Sequence, residues 1–135
     1  MENKITFIQS TQLAKVDYPY ASTVPAGMNL LFLAGSCPLD LDGKVPYIDN
    51  YEKQAKLCVD NMKQVLKESG AALTNIVSTR VLVATQNQSD LVTVWRTIRE
   101  EFGDYNVPST LTGVTVLGYP NQLVEIEAVA AVETK

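Results

Sequence analysis

The sequence predicts a single α+β domain, residues 1–135, in which one β-sheet carries two helices on one face. Residues 123–132 alternate apolar side chains with the two glutamates Glu125 and Glu127, which is typical of a strand with one buried face. Residues 51–69 repeat apolar side chains at helical spacing. Strands and helices follow the order β-β-α-β-α-β-β, which one sheet with a single helical layer accommodates most simply.

The first half of the chain is predicted to contain short extended segments and one long helix. Residues 4–8 form a short strand, and residues 18–24 are extended because a residue before proline disfavours the helical conformation. Residues 28–35 form a strand whose unbroken apolar run predicts that both of its faces are covered. The helix at residues 51–69 is followed by Gly70, which suits a left-handed C-terminal cap.

The second half is predicted to contain a strand, a helix and two further strands. Residues 76–84 are rich in β-branched side chains, which favour a strand. Ser89 is predicted to cap the second helix and Gly103 to end it. The two C-terminal strands, within residues 107–117 and 123–132, are predicted to pair as an antiparallel hairpin.

The outer face of the predicted sheet is partly apolar. The side of the last strand that carries Glu125 and Glu127 also carries Leu123 and Val129. A monomer would leave this face in water, so the pattern predicts an oligomer that covers it. A monomer mass in solution would contradict this prediction.

The charge of the chain argues against partners that need a basic surface. The formal net charge is −4, whereas nucleic acid or an anionic membrane attracts a basic patch. No run approaches the roughly 18–20 apolar residues of a membrane span, and the first residues lack the pattern of a signal peptide. We therefore expect a cytoplasmic protein without nucleic-acid or membrane partners.

The absence of histidine restricts the chemistry of the chain. Without histidine there is no Ser-His or Cys-His nucleophile pair and no histidine-based zinc site. Two cysteines, Cys37 and Cys58, are too few for a disulfide framework, and Cys58 lies on the apolar face of the first helix. Cys37 has no neighbouring cation in the sequence to lower the pKa of its thiol, so we expect an unreactive thiol.

Five segments of the chain resemble, in order, the motifs of one family. Residues 123–130 are similar to its L-V-E-I-E-A-I-A end, and residues 54–70 are similar to its E-Q-x-x-x-x-L-x-N-x-x-x-x-L-x-x-A-G helix. The other matches are residues 18–21 with its G-P-Y segment, residues 33–38 with its S-G-Q-I-P loop and residues 76–84 with its V-V-x-x-x-V-F-L strand. By these motifs the chain is identified as a member of the RidA family, also called YjgF/YER057c/UK114.

The resemblance implies a fold, an assembly and an activity. It implies a chorismate-mutase-like α+β subunit and a homotrimer with small-molecule clefts between subunits. In archetypal members these clefts hydrolyse reactive imines and enamines to a 2-keto acid and ammonia, without a metal or cofactor. An arginine in a P-A-R-[ST] motif binds the substrate carboxylate, and a glutamate in the final strand helps to activate water.

The chain departs from the archetype at the arginine. Glu125 matches the glutamate, but residues 107–110 stand where the P-A-R-[ST] motif is expected. Alignment on the following glycine places Ser109 at the arginine position, whereas alignment on the preceding proline places Thr110 there. Neither side chain offers the permanent charge and rigid fork of donors of a guanidinium. Arg80, in the strand at residues 76–84, is either a substitute anion anchor or a surface or interface residue.

The predicted site combines one carboxylate with a small set of polar groups. Glu125 is the candidate general base, with a solvated or interface-paired acid as the alternative. The candidate substrate-binding residues are Tyr20, Gly35, Ser36, Ser109 and Thr110. For Tyr20 a packing role stays open as the alternative, and for Ser109 and Thr110 a role at the strand edge does. Gly35 allows a ligand or a neighbouring chain to approach closely. Trp95 replaces an amide of the archetype and is expected in the core.

Two functions of different classes follow from these residues. The first is an enzyme that hydrolyses imines, enamines or related C=N compounds, with Glu125 activating water. The second is a non-catalytic trimer that binds a small metabolite as a sensor or as a regulator of another enzyme. A chaperone-like protein that acts through its surface is a third. A ribonuclease function fits poorly with an acidic chain that lacks histidine.

Overall fold

The structure, a computed structural model, describes residues 4–134, and this part of the chain forms six strands and two helices. The strands are β1 (Thr6–Ile8), β2 (Ala21–Thr23), β3 (Met28–Phe32), β4 (Ile76–Ala84), β5 (Ser109–Val114) and β6 (Val124–Glu133). The helices are α1 (Tyr51–Glu68) and α2 (Gln88–Phe102), and one turn of 3₁₀ helix at Leu73–Asn75 precedes β4. Neither α1 nor α2 is long and apolar enough to cross a membrane. The predicted α+β class is confirmed.

The main sheet has four strands in the order β3-β6-β4-β5, and β1 and β2 form a separate antiparallel ribbon. β6 is antiparallel to both of its neighbours, whereas β4 and β5 are parallel. The predicted hairpin between the two C-terminal strands is therefore wrong. β5 reaches the sheet through the α2 crossover, because parallel strands need such a connection. β6 then enters between β3 and β4.

The start of α1 at Tyr51 and the glycines that follow both helices agree with the prediction. Asn50 Oδ1 accepts a hydrogen bond from the Lys53 N–H at 2.8 Å and so caps the start of α1. Gly70, just beyond α1, has a φ of 75°, and Gly103, at the end of α2, has a φ of 62°. A glycine adopts this left-handed region without the strain that a Cβ atom would cause.

The start of α2 differs from the prediction. The helix begins at Gln88, one residue before Ser89, and Asn87 takes the cap position. The Thr85 hydroxyl orders this turn, because it accepts a hydrogen bond from Asn87 N at 3.0 Å and donates one to Asp90 Oδ2 at 2.6 Å. Thr85, which precedes the helix, thus orders the first turn of α2 in place of the predicted cap Ser89.

Both helices pack on one face of the sheet, and the core lies between them and the strands. The inward side chains of β6 alternate as predicted: Val124, Ile126 and Ala130 have no exposed surface. They meet buried side chains of α1, α2 and β4, namely Cys58, Val59, Met62, Leu66, Val94, Ile98, Val81 and Val83. Burying a large apolar side chain contributes about 1.5–3 kcal/mol. The side chains on the opposite face of the sheet are therefore carried by strands that the core holds firmly in place.

That opposite face, here called the open face, is uncovered in the single chain. Leu30 and Phe32 of β3 are 50% and 74% exposed. The prediction that β3 is covered on both sides is wrong within one chain, since β3 is an edge strand paired only with β6. An apolar run predicts burial, but it does not say whether the covering surface belongs to the same chain.

Candidate functional site

Two neighbouring groups of polar and charged side chains lie on the open face. The first, the carboxylate cluster, consists of Glu125, Gly35, Cys37 and Gln122. The second, the arginine cavity, is a hollow of about 510 Å³ whose lining includes Tyr20, Phe32, Arg80, Ser109, Thr110 and Glu127. Within residues 4–134 no group of three or more Cys, Asp or Glu side chains is placed to hold a metal ion.

Two donors hold the Glu125 carboxylate in place. Cys37 Sγ donates to Glu125 Oε1 at 3.2 Å, and Gln122 Nε2 donates to the same oxygen at 3.3 Å. Gln122 is 4% exposed, and its Nε2 also donates to the Val124 carbonyl at 3.0 Å, which fixes the amide on the strand. The carboxylate is therefore oriented by the chain itself, and catalytic groups benefit from such preorganisation.

Gly35 makes room for this carboxylate. A Cβ atom built on Gly35 would lie 2.4 Å from Glu125 Oε2 and 2.7 Å from Glu125 Cδ. Any other residue at position 35 would displace the carboxylate or the loop. In the single chain the group that approaches Gly35 closely is Glu125, and the approach of a ligand or a neighbouring chain stays a prediction.

The Cys37 thiol is protonated at neutral pH. Burial, the hydrogen bond to Glu125 and the negative charge of that carboxylate raise the pKa of the thiol from 9.0 to about 11, against an opposing contribution from Gln122. The thiolate is the reactive form of cysteine. The expectation of an unreactive thiol therefore agrees with the structure, and Cys37 acts here as a hydrogen-bond donor.

Two amides of α1 fasten the loops that carry the cluster, a role that the sequence patterns did not predict. Gln54 has no exposed surface; its Nε2 donates to the Asn121 carbonyl at 3.0 Å, and its Oε1 accepts from Leu123 N at 2.7 Å. Asn61 Nδ2 donates to the Cys37 carbonyl at 2.9 Å. Gln54 lies within the buried stripe of α1, whereas Asn61 is half-buried. A polar residue within an apolar stripe is the signal that would have revealed Gln54, because a buried amide needs partners.

Ser36 joins the cluster loop to the sheet. Its hydroxyl donates to the Cys58 carbonyl at 2.5 Å. Its backbone N–H donates to the Ile126 carbonyl at 2.7 Å, and its carbonyl accepts from Ile126 N at 3.0 Å. The bridge holds the loop of Gly35 and Cys37 against β6. Ser36 is not among the residues that line the arginine cavity, so the single chain gives no geometric support to its predicted contact with substrate.

Ser109 and Thr110 both line the arginine cavity, but their side chains have different surroundings. In the parallel ladder of β4 and β5, Thr79 pairs with Ser109 and Arg80 pairs with Thr110. The hydroxyls of Thr79 and Ser109 are 2.7 Å apart and form a hydrogen bond. Thr110 points to the other side of the strand, is exposed and stands beside Arg80. Ser109 is thus engaged within the chain, whereas Thr110 faces outward.

Tyr20 lines the cavity with its hydroxyl already engaged, since it donates to the Ala14 carbonyl at 2.5 Å. Trp95 secures the preceding segment: its Nε1 donates to Asp17 Oδ2 at 3.0 Å, and its ring packs edge-on against Tyr18 at a centroid distance of 6.0 Å. Trp95 is half-buried, so the expectation of a core residue is wrong. An indole N–H needs a partner, and Asp17 provides it at the surface.

The fold defines the class of protein. A Rid-family protein from Yersinia pestis, YyfB, superposes with a TM-score of 0.86 over 96% of this chain and 99% of its own, at 21% sequence identity. At that identity the likeness shows the fold alone. The chain therefore has the architecture of a Rid-type α+β subunit.

Sequence comparisons establish the family. The family model described as endoribonuclease L-PSP matches residues 11–132. A RutC family protein of Pasteurella multocida is 32% identical over 116 residues, covering 83% of this chain and 86% of its own. A RutC family protein of Pyrococcus abyssi is 29% identical over 112 residues, covering 83% and 85%. The chain belongs to the endoribonuclease L-PSP family, which is the RidA family, and the resemblance found in its motifs is confirmed.

Proposed function

We propose that the chain forms a homotrimer whose intersubunit clefts bind a small molecule and hydrolyse reactive imines or enamines. The observation that carries this proposal is the fixed carboxylate of Glu125. Its Oε1 is held by Cys37 and Gln122, and its Oε2 lies against the space left by Gly35. Glu125 does not itself line the arginine cavity, but it lies two residues along β6 from Glu127, which does. A positioned carboxylate on this face is able to take a proton from water. Membership of the RidA family agrees with such a reaction.

In the proposed reaction, water adds across the C=N bond. Glu125 accepts a proton from the water as its oxygen bonds to the imine carbon, and the carboxyl then returns that proton to the nitrogen. The carbinolamine expels ammonia, so that one imine and one water give one carbonyl compound and one ammonia. An enamine enters after tautomerisation to the imine. General acid–base assistance of this kind accelerates reactions by about 10²–10⁴-fold.

The proposed trimer is supported by the open face. Leu30 and Phe32 expose apolar surface beside the arginine cavity, and apolar patches of this kind mark surfaces of association. A neighbouring subunit on this face would also exclude water from the cleft and strengthen its electrostatic interactions. Light scattering during gel filtration tests this part of the proposal, with three chain masses as the expected result and one chain mass as the contradicting one.

The reaction is tested by generating an imine with an amino-acid oxidase while semicarbazide traps what is not hydrolysed. The protein should lower semicarbazone formation and speed ammonia release. Glu125→Gln keeps the shape of the side chain and removes the base, so we expect a loss of about 10²–10⁴-fold. Glu133→Gln, an exposed position on the same strand, is the matched control and should retain full activity. No acceleration by the wild type, or full activity in Glu125→Gln, would reject the mechanism.

The second candidate is a non-catalytic trimer that binds a small metabolite or regulates another enzyme. It is favoured by one observation: the segment 107–110 supplies no cation, and the Ser109 hydroxyl is already bonded to Thr79. A pure binding protein would gain thermal stability from its ligand, by RT ln(1 + [L]/Kd), without turnover. Silence in the imine assay together with ligand-dependent rises in Tm would favour this function.

A further inference from the structure

We propose that Gln122 is the positioning residue of the base: its amide holds Glu125 Oε1 and leaves Glu125 Oε2 as the oxygen that takes the proton from water. The inference rests on the function proposed above, to which it adds the residue and the turn that set the direction of the carboxylate. Gln122 touches no reacting atom in this proposal and acts through Glu125.

A tight turn before β6 carries Gln122. The Gln122 N–H donates to the Tyr119 carbonyl at 3.0 Å, and Asn121 has a φ of 66°. Proline at the second position and a positive φ at the third are features of a type II β-turn, and Pro120 and Asn121 occupy these positions. The turn thereby directs the Gln122 side chain into the protein, where it is 4% exposed.

The hydrogen bonds of this turn decide which way the Gln122 amide points. Gln122 Oε1 accepts a hydrogen bond from Tyr119 N at 3.1 Å, and Gln122 Nε2 donates one to the Val124 carbonyl at 3.0 Å. A reversed amide would set donor against donor at the first contact and acceptor against acceptor at the second. Nε2 is therefore fixed on the side of Glu125, whose Oε1 it meets at 3.3 Å.

Gln122 is a firmer support for the carboxylate than Cys37 is. A thiol is a weak hydrogen-bond donor. Cys37 Sγ lies 3.2 Å from Glu125 Oε1 and 3.5 Å from the Gly35 carbonyl, so its single proton has two acceptors within reach. The amide has two N–H groups and uses one for each of its two acceptors. We therefore assign the position of Oε1 chiefly to Gln122.

The two oxygens of the Glu125 carboxylate consequently have different roles. Oε1 accepts hydrogen bonds from Cys37 and Gln122, whereas none of the hydrogen bonds within residues 4–134 reaches Oε2. A general base needs a free lone pair within hydrogen-bond reach of the proton that it takes. Oε2 thus takes the proton of water as the water oxygen bonds to the imine carbon, and it returns that proton to the nitrogen.

Steady-state kinetics of imine hydrolysis, at imine concentrations set by the rate of the oxidase, test the inference with Gln122→Met. This substitution keeps the length of the side chain and removes the donor. Because a misplaced base weakens the transition state more than it weakens substrate binding, we expect kcat to fall about 10- to 100-fold and KM to change less than about threefold. Gln64→Met makes the same exchange on the exposed side of α1 and should match the wild type.

The variant Gln122→Glu gives a signature that a loss of packing alone would not produce. The introduced carboxyl takes the place of Nε2 beside Glu125 Oε1, and two carboxyl groups in such contact share one proton. That proton must leave before Glu125 can act, so the pH at which the rate rises should move upward by at least about one unit. The other titratable or charged groups around Glu125 are unchanged in this variant: Cys37, Arg80 on β4, Glu127 on β6 and Cys58 on α1.

The turn supplies a pair of variants that leave Gln122 itself intact. Asn121 is exposed, and its positive φ is adopted freely by glycine but only with strain by a β-branched residue. Asn121→Gly should therefore keep the wild-type rate, whereas Asn121→Val should distort the turn and lower kcat about 3- to 10-fold. Gel filtration of every variant reports folding and assembly, and if Gln122→Met fails to fold, Gln122→Glu and the Asn121 pair decide the question.

Crystal structures of the wild type and Gln122→Met separate failure of this inference from failure of the proposed function. We expect a single conformer of the Glu125 carboxylate in the wild type and a displaced one in Gln122→Met. A protein that hydrolyses no imine rejects the enzyme, and the position of Glu125 in the two structures then supports or rejects the inference by itself. In an active protein, full kcat in Gln122→Met or an unshifted pH dependence in Gln122→Glu would overturn the inference.

Discussion

The carboxylate cluster and the arginine cavity lie side by side on the open face, yet the chain treats them differently. In the cluster, Glu125 receives two hydrogen bonds and packs against Gly35, and α1 amides hold the surrounding loops. In the cavity, Arg80 is exposed and joins none of the salt bridges within residues 4–134.

This difference indicates a division of labour. A group that must meet a reacting atom gains from being fixed before the ligand arrives, because a misplacement of 1 Å can cost about 10²-fold in rate. A group that binds an anion gains from unused donors, since each donor already satisfied inside the chain is one less for the ligand. The carboxylate cluster holds Glu125 in a fixed position, whereas the arginine cavity leaves its donors free for a ligand.

The substitution Gly35→Ala tests whether the fixed position of Glu125 matters, and we expect it to have the largest effect. The new Cβ atom would lie 2.4 Å from Glu125 Oε2 and must push the carboxylate out of place. We expect a fall of about 10²-fold or more in imine hydrolysis. Gly118→Ala is the matched control, because nothing lies within 4 Å of its Cβ position. Full activity in Gly35→Ala would show that Glu125 does not need its present position.

A second test removes the hydrogen bonds by which Gln54 holds the loop before β6. Gln54→Leu leaves the part-buried Leu123 N–H and the Asn121 carbonyl without their partner, so we expect a loss of about 1–3 kcal/mol in the free energy of unfolding. Urea denaturation measures this loss. Gln64→Leu on the exposed side of the same helix is the control, because Gln64 bonds only to Glu68 there. Equal stability of the two variants would contradict a structural role for Gln54.

The smallest effect concerns the pH dependence of the cluster. The pKa of the Cys37 thiol is raised from 9.0 to about 11, chiefly by burial, so the folded state holds this proton more tightly than the unfolded state does. The stability contributed by the neutral thiol is present below pH 9.0 and is lost as the pH rises toward 11. Stability should therefore fall less steeply over this window in Cys37→Ser than in the wild type.

Alkylation with iodoacetamide reports the same group directly. Cys58 has no exposed surface, so alkylation of the folded protein reports Cys37. The rate should follow an ionisation near pH 11, and Glu125→Gln, which removes the neighbouring charge, should move it toward 9.0. A Cys37 that reacts fully at neutral pH would show that Glu125 does not hold its proton.

The elements with local periodicity were predictable from the sequence. α1 and β6 each bury one stripe, and the spacing of apolar side chains records that stripe directly. The pairing of the strands was not predictable in the same way. β5 pairs with β4 and β6 enters between β3 and β4, and no local pattern carries such long-range information.

The site shows the same limit. Glu125 could be chosen because its strand resembles a family motif, but its contact with Cys37 joins residues 88 positions apart. The position of Arg80 beside Thr110 depends on the register of β4 and β5, which the sequence patterns do not reveal. Gln54 was missed because helical spacing identifies a buried position without saying that its amide must serve two loops.

The central place of β6 also bears on how the chain is made. Of the six strands described, β6 is synthesised last, and β3 has no other partner in the sheet. During translation, β4 and β5 can pair before β6 is made. β3 stays without its partner strand while nearly a hundred further residues are synthesised, at about 5–20 residues per second. The apolar surface of Leu30, Leu31 and Phe32 is unpaired for that time. A ribosome stalled before residue 124 would therefore hold a chain in which β3 lacks its partner strand and exposes an aggregation-prone apolar surface.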